Sequence, residues 1–185
     1  MRNFTAFFLF FLAAGTTWAA EAPADWKMYK DPLHGFEVSY PATWQLQASS
    51  HHESGGPLVQ LDGGSEGAVG IVYFGDDLNF SDYGPDEQPG QRPTMGLDQF
   101  MQLAGDALGQ TTHTTLNGLN AYEIATHVRV EEAEPNANNQ RTTEIFAVMV
   151  EHQGQAFQLR FHHGPTKQDL TETERRILAS FHFVH

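Results

Sequence analysis

The sequence predicts an α+β fold: one antiparallel β-sheet of about seven strands with helices on both faces. Three observations carry that expectation. Residues 144–151 hold Ile145-Phe146-Ala147-Val148-Met149-Val150, and a strand that is apolar on both faces lies inside a sheet covered on both sides. Segments before and after it alternate apolar with polar residues at the period of a half-buried strand. Two further stretches, 97–108 and 166–180, repeat apolar residues at helical spacing.

In chain order, Arg2, the apolar run 4–14 broken only by Thr5, and the small residues Thr17 and Ala19 at the −3 and −1 positions read as a signal peptide over residues 1–19. The run is short of the ~20 apolar residues that a membrane span needs. Residues 20–185 are then expected to form a single exported, periplasmic domain. Trp26–Lys30 and 35–40 alternate and are joined by Asp31-Pro32-Leu33-His34, a turn composition, which predicts a hairpin ended by Pro41. Strands over 58–61 and 68–74 are separated by Asp62-Gly63-Gly64-Ser65-Glu66-Gly67. Residues 75–94, rich in Gly, Pro and acids, read as an irregular loop. Leu97, Phe100, Met101, Ala104 and Leu108 then define an amphipathic helix of about three turns that stops at Gly109.

Residues 121–131 alternate, as do 156–163, where Phe157, Leu159 and Phe161 oppose Gln158, Arg160 and His162. Gln153-Gly154 fits a two-residue hairpin loop. That loop pairs His152 with Gln155 and sets Phe146, Val148 and Val150 on the face of Phe157, Leu159 and Phe161. The last segment, 166–180, reads as a helix with Leu170, Ile177 and Leu178 inward.

Charge and chemistry narrow the function. The 185 residues carry 10 Lys+Arg against 23 Asp+Glu, a net charge of −13, and no Cys. Nucleic acid and anionic lipid are disfavoured as partners, since both require a basic face. Without Cys there are no disulfides, thiolate nucleophiles or thiolate metal sites. The acidity is uneven: residues 31–91 contain ten acids and no Lys or Arg. No Gly-x-Ser-x-Gly and no His-Glu-x-x-His is present, and no catalytic residue is assigned.

Ten histidines invite a metal reading. His162 and His163, adjacent on a strand, point to opposite faces and cannot chelate one ion together. His51-His52 sits in a Ser/Gly-rich loop with nothing to preorganise it, and the acidic stretch 76–87 lacks the EF-hand spacing. No metal and no cofactor is assigned. The candidate binding residues are His127, Arg129, Arg160 and His162. Arg160 and His162 share a face with Ile145, Ala147 and Met149, and Glu123, His127 and Arg129 are placed across the central strand on that same face. The result is a small basic patch with an apolar floor, suited to an anionic ligand or a partner segment. The same residues also read as polar strand positions reaching past a covering helix.

Three phrases carry a resemblance. The stretch 27–44, with Gly35-Phe36, Tyr40-Pro41 and Trp44, resembles the opening of PsbP-like domains, Leu116-Asn117-Gly118-Leu119-Asn120-Ala121-Tyr122 resembles an internal strand of theirs, and 175–181 resembles their terminal helix ending in Ser-Phe. The chain thus resembles exported PsbP-like and DcrB-like proteins over its mature length. The resemblance implies an α/β/α sandwich and a non-enzymatic role in binding another protein. The expected function is that of an exported accessory protein touching another envelope protein through the 75–94 loop or the sheet patch. The competing expectation is a small-ligand or divalent-metal binder using His127, Arg160 and His162.

Overall fold

The computed structural model describes residues 25–49, 57–75, 95–131 and 140–184. The expected signal peptide, His51-His52 and residues 76–94 of the expected acidic loop lie outside the described residues. In chain order the elements are β1 (Trp26–Lys30), β2 (Phe36–Pro41), β3 (Gln45–Ala48), β4 (Pro57–Asp62) and β5 (Ala68–Gly75), then α1 (Leu97–Leu108). After it come β6 (Gln110–Leu116), β7 (Leu119–Glu131), β8 (Gln140–His152), β9 (Gln155–Phe161), α2 (Glu172–Ser180) and β10 (His182–Phe183).

Seven strands form one antiparallel sheet in the order β3-β4-β5-β9-β8-β7-β6. The expected β8–β9 hairpin is present. Gln153 and Gly154 have φ of 53° and 76°, the twist that a two-residue loop requires, and His152 pairs with Gln155. Alternation along the two central strands then loads both faces. Phe146, Val148, Val150, Phe157, Leu159 and Phe161 pack with Phe36 and Val38 of β2 and with Ile177, Leu178 and Phe181 of the C-terminal segment. On the opposite face Val72, Ile124, Ala147 and Met149 pack against Leu97, Phe100 and Met101 of α1.

Three elements differ from expectation. The β1–β2 hairpin leaves the main sheet and forms a separate one with β10. It covers the main sheet together with α2, and Ser180 Oγ accepts from Ser39 N at 2.9 Å to tie them. Its places in the main sheet are taken by β3 and β6, which are too short or too polar to show an apolar period. The terminal helix begins later than expected: a 3-10 turn at Lys167–Asp169 precedes α2, and each has its own capping box, Thr166 with Asp169 and Thr171 with Glu174.

The turn before β5 makes a testable contact. Trp44 is buried and its Nε1 donates to Glu66 Oε2 at 3.1 Å. Gly63, with an ordinary φ of −101°, lies so close beneath the indole that a Cβ there would overlap it. Gly63→Ala is therefore expected to cost about 1–3 kcal/mol by overpacking. Urea unfolding followed by Trp fluorescence measures this, and an unchanged midpoint means that the indole has room to move.

Candidate functional site

Arg160 stands on the α1 side of the sheet. The register places it between Gly70 of β5 and Ala147 of β8, with Ile124 of β7 beyond. A glycine and an alanine on either side leave the guanidinium as the tall group in its row. Its Nε donates to Oε1 of the buried Gln158, a neutral acceptor, at 2.5 Å. Among the described residues it has no carboxylate partner. Burial lowers its pKa from the ordinary value, and a guanidinium remains charged regardless.

His162 follows just past the end of β9 and is largely exposed. Its pKa is lowered by desolvation first and then by the charge of Arg160; Glu174 opposes this and His163 adds to it. A neutral imidazole beside a fixed cation thus marks this end of the sheet, and an approaching anion would favour protonating it.

Arg160 and His162 are the candidate residues that the structure brings together. Backbone register sets His127 opposite Glu144 and Arg129 opposite Thr142, while the side chains of both lie outside the described residues. Glu123, at the same parity of β7, pairs with Val148. Val148 belongs to the other face of the sheet, so Glu123 does not share Arg160's face as expected. It accepts instead from Lys167 Nζ at 2.8 Å, beside an open cleft of about 180 Å³ lined by Thr112, Phe146 and Thr166. The expected divergence of His162 and His163 is present: His163 turns to α2, where its Nδ1 lies 2.9 Å from Glu174 Oε1. Among the described residues no group of three or more His, Asp or Glu side chains could hold a metal ion.

One polar cluster was not singled out from sequence. Asp31 is buried, and its Oδ1 accepts from the backbone N–H of Leu33 at 3.1 Å and of His34 at 2.7 Å, with His34 Nδ1 at 3.0 Å. Tyr29 OH donates to Oδ2 at 3.2 Å. Burial, then the Asp31 charge, pushes the Tyr29 phenol up to about 12. The His34 ring packs on Tyr73 at 4.3 Å between centroids and edge-on to Phe157 at 5.8 Å. These bonds tie the loop of the β1–β2 hairpin to itself and seat it on the aromatic core. The composition of Asp31-Pro32-Leu33-His34 shows a turn in the sequence; the burial of the Asp31 carboxylate leaves no such sign.

No family model and no curated protein matches the chain. Among solved structures, the solution structure of cyanobacterial PsbP (CyanoP) from Synechocystis sp. aligns with a TM-score of 0.50 at 16% identity, covering 92% of this chain and 99% of that one. A crystal structure from Bacteroides thetaiotaomicron aligns with a TM-score of 0.48 at 13% identity, covering 86% of this chain and 48% of that chain. With its seven-stranded antiparallel sheet, small companion sheet and two helices, the chain has a PsbP-like fold.

Proposed function

We propose that the protein is an exported, non-catalytic accessory protein of the cell envelope that docks an acidic segment of another protein on the Arg160–His162 end of the sheet. The observation that carries this reading is Arg160 itself: a half-buried cation, in a chain of net charge −13, whose acceptor among the described residues is the neutral Gln158. A carboxylate brought to it gains a charge-assisted hydrogen bond with little desolvation still to be made. The resemblance of residues 1–19 to a signal peptide supports export.

Affinity capture from envelope extract with the mature protein tests the proposal. Wild type is expected to retain a specific partner, and Arg160→Gln to lose at least ten-fold of it with an unchanged melting temperature. Equal capture by both proteins overturns the assignment of Arg160. Stabilisation of the wild type by a free small carboxylate, following RT ln(1 + [L]/Kd) and lost in Arg160→Gln, with no protein captured, assigns the site to a small anion instead.

A further inference from the structure

We infer that β6 is a self-association edge, at which two copies of the chain pair β6 with β6 antiparallel about a two-fold axis through His113 and join their sheets. β6 is the outermost strand of the main sheet and, among the described residues, pairs only with β7. An outer strand presents a row of N–H and C=O groups that template another strand, and proteins blunt such edges with lysines, prolines, bulges or shortness. The other edges here are blunted: β1 carries Lys27 and Lys30, β3 has four residues and β10 has two. β6 has seven residues, Gln110 to Leu116, with no charge, no Pro and no Gly, and its register with β7 runs without a shift.

The occupant follows from the residue order. Thr111-Thr112-His113-Thr114-Thr115 reads the same in both directions. An antiparallel copy centred on His113 sets Thr111 opposite Thr115 and Thr112 opposite Thr114, so every inner pair is a Thr–Thr pair of the kind that stabilises neighbouring strands. This internal symmetry is what an isologous interface requires of a single strand. A strand from a different protein would impose no such condition, which is why the second copy is the favoured partner. The same register sets Thr112 and Thr114 opposite Glu123 and Ala121, and sets Thr111 and Thr115 opposite Ile124 and Asn120, so Thr–Thr rows form on both faces.

His113 is already held in place at the axis. Its Nε2 lies 2.9 Å from Asn120 Oδ1 and its ring packs edge-on to Tyr122 at 5.1 Å. Asn120 and Tyr122 both donate to Asp98 of α1, at 2.8 and 3.0 Å. Two chains of net charge −13 repel one another, and a charge-free strand is where their approach costs least. A two-fold axis perpendicular to the sheet keeps both Arg160 sites on one side of the joined sheet. The pairing itself does not depend on what Arg160 binds.

The absence of Cys makes the register directly readable. Opposed residues of antiparallel strands have Cα atoms about 4.5 or 5.5 Å apart, within the span of a disulfide. In the mature full chain, His113→Cys is expected to form a linked dimer on mild oxidation. A mixture of Thr112→Cys with Thr114→Cys should cross-link at least ten-fold faster than Thr112→Cys alone. Sedimentation equilibrium should give the wild type a mass that doubles with rising concentration. His113→Lys, which opposes two like charges, should remain monomeric while keeping the wild-type far-UV circular dichroism. A wild type that stays monomeric to millimolar concentration, cross-linking with no preference among the positions, or a His113→Lys variant that still dimerises overturns the inference.

Discussion

Phe157→Ala lowers the free energy of unfolding by about 3–5 kcal/mol, the range for deleting a fully buried aromatic ring. Phe157 has 0% exposure and lies on β9, between β5 and β8 at the middle of the sheet. Its ring reaches three other elements: Tyr73 of β5 at 5.2 Å, Phe36 of β2 at 6.1 Å and Phe183 of β10 at 5.0 Å between centroids. Truncation therefore opens a cavity where the main sheet meets the small sheet, and neither sheet can close it without losing its own pairing. For a domain of this size each kcal/mol is worth roughly 2–4 °C in melting temperature. A loss of about 6–20 °C is thus expected by calorimetry, with Phe157→Leu falling between. A shift below about 2 °C for Phe157→Ala means that the two sheets collapse onto the site and that the aromatic cluster does not hold them together.

What could be read in advance follows from which signals are local. Gln153-Gly154 fixed its hairpin because a two-residue loop admits one register, and that register carried the face assignment of six core residues with it. Gly109 and the spacing of Leu97, Phe100 and Met101 delimited α1 for the same reason. The small sheet was not legible: its third strand pairs His182 with Glu37, and a two-residue strand so distant in sequence leaves no periodic trace. β6 was hidden by its composition, since a Thr-rich edge strand buries too little to alternate.

The site divides along the same line. Arg160 lies on β9 and His162 one residue past its end, so bringing the two together needed only their closeness in sequence. Glu123 required the register of β7 against β8, which the connection over 132–139 did not specify, and a one-residue slip exchanges the faces. Buried carboxylates escaped altogether. Asp31 and Glu174 look like turn and surface residues in sequence, and only the assembled layers place them inside.

Glu174→Ala is expected to cost about 2–4 kcal/mol, from a lost helix cap and from buried donors left without an acceptor. The Glu174 side chain has 0% exposure and serves two segments at once. Its Oε2 accepts from Thr171 N at 2.9 Å and from Thr171 Oγ1 at 3.1 Å, while Thr171 Oγ1 accepts from Glu174 N at 3.2 Å, closing the capping box of α2. Its Oε1 lies 2.9 Å from His163 Nδ1, which ties the chain leaving β9 to the start of the helix. Glu174→Gln keeps the shape: its carbonyl can still accept from Thr171, and its amide can donate to His163 in the tautomer with the proton on Nε2. That variant should lose about 1 kcal/mol. Gly67 backs the same carboxylate, with φ of +126° and a Cβ position 2.7 Å from Oε1, so Gly67→Ala pushes into the site that Glu174→Ala empties. The two changes should therefore couple, the double variant losing less than the two single losses combined. Urea unfolding of the four proteins measures the cycle. Additive losses mean that Gly67 acts through its backbone conformation alone, and a Glu174→Ala variant within about 0.5 kcal/mol of wild type removes the carboxylate from the structural core of this end of the fold.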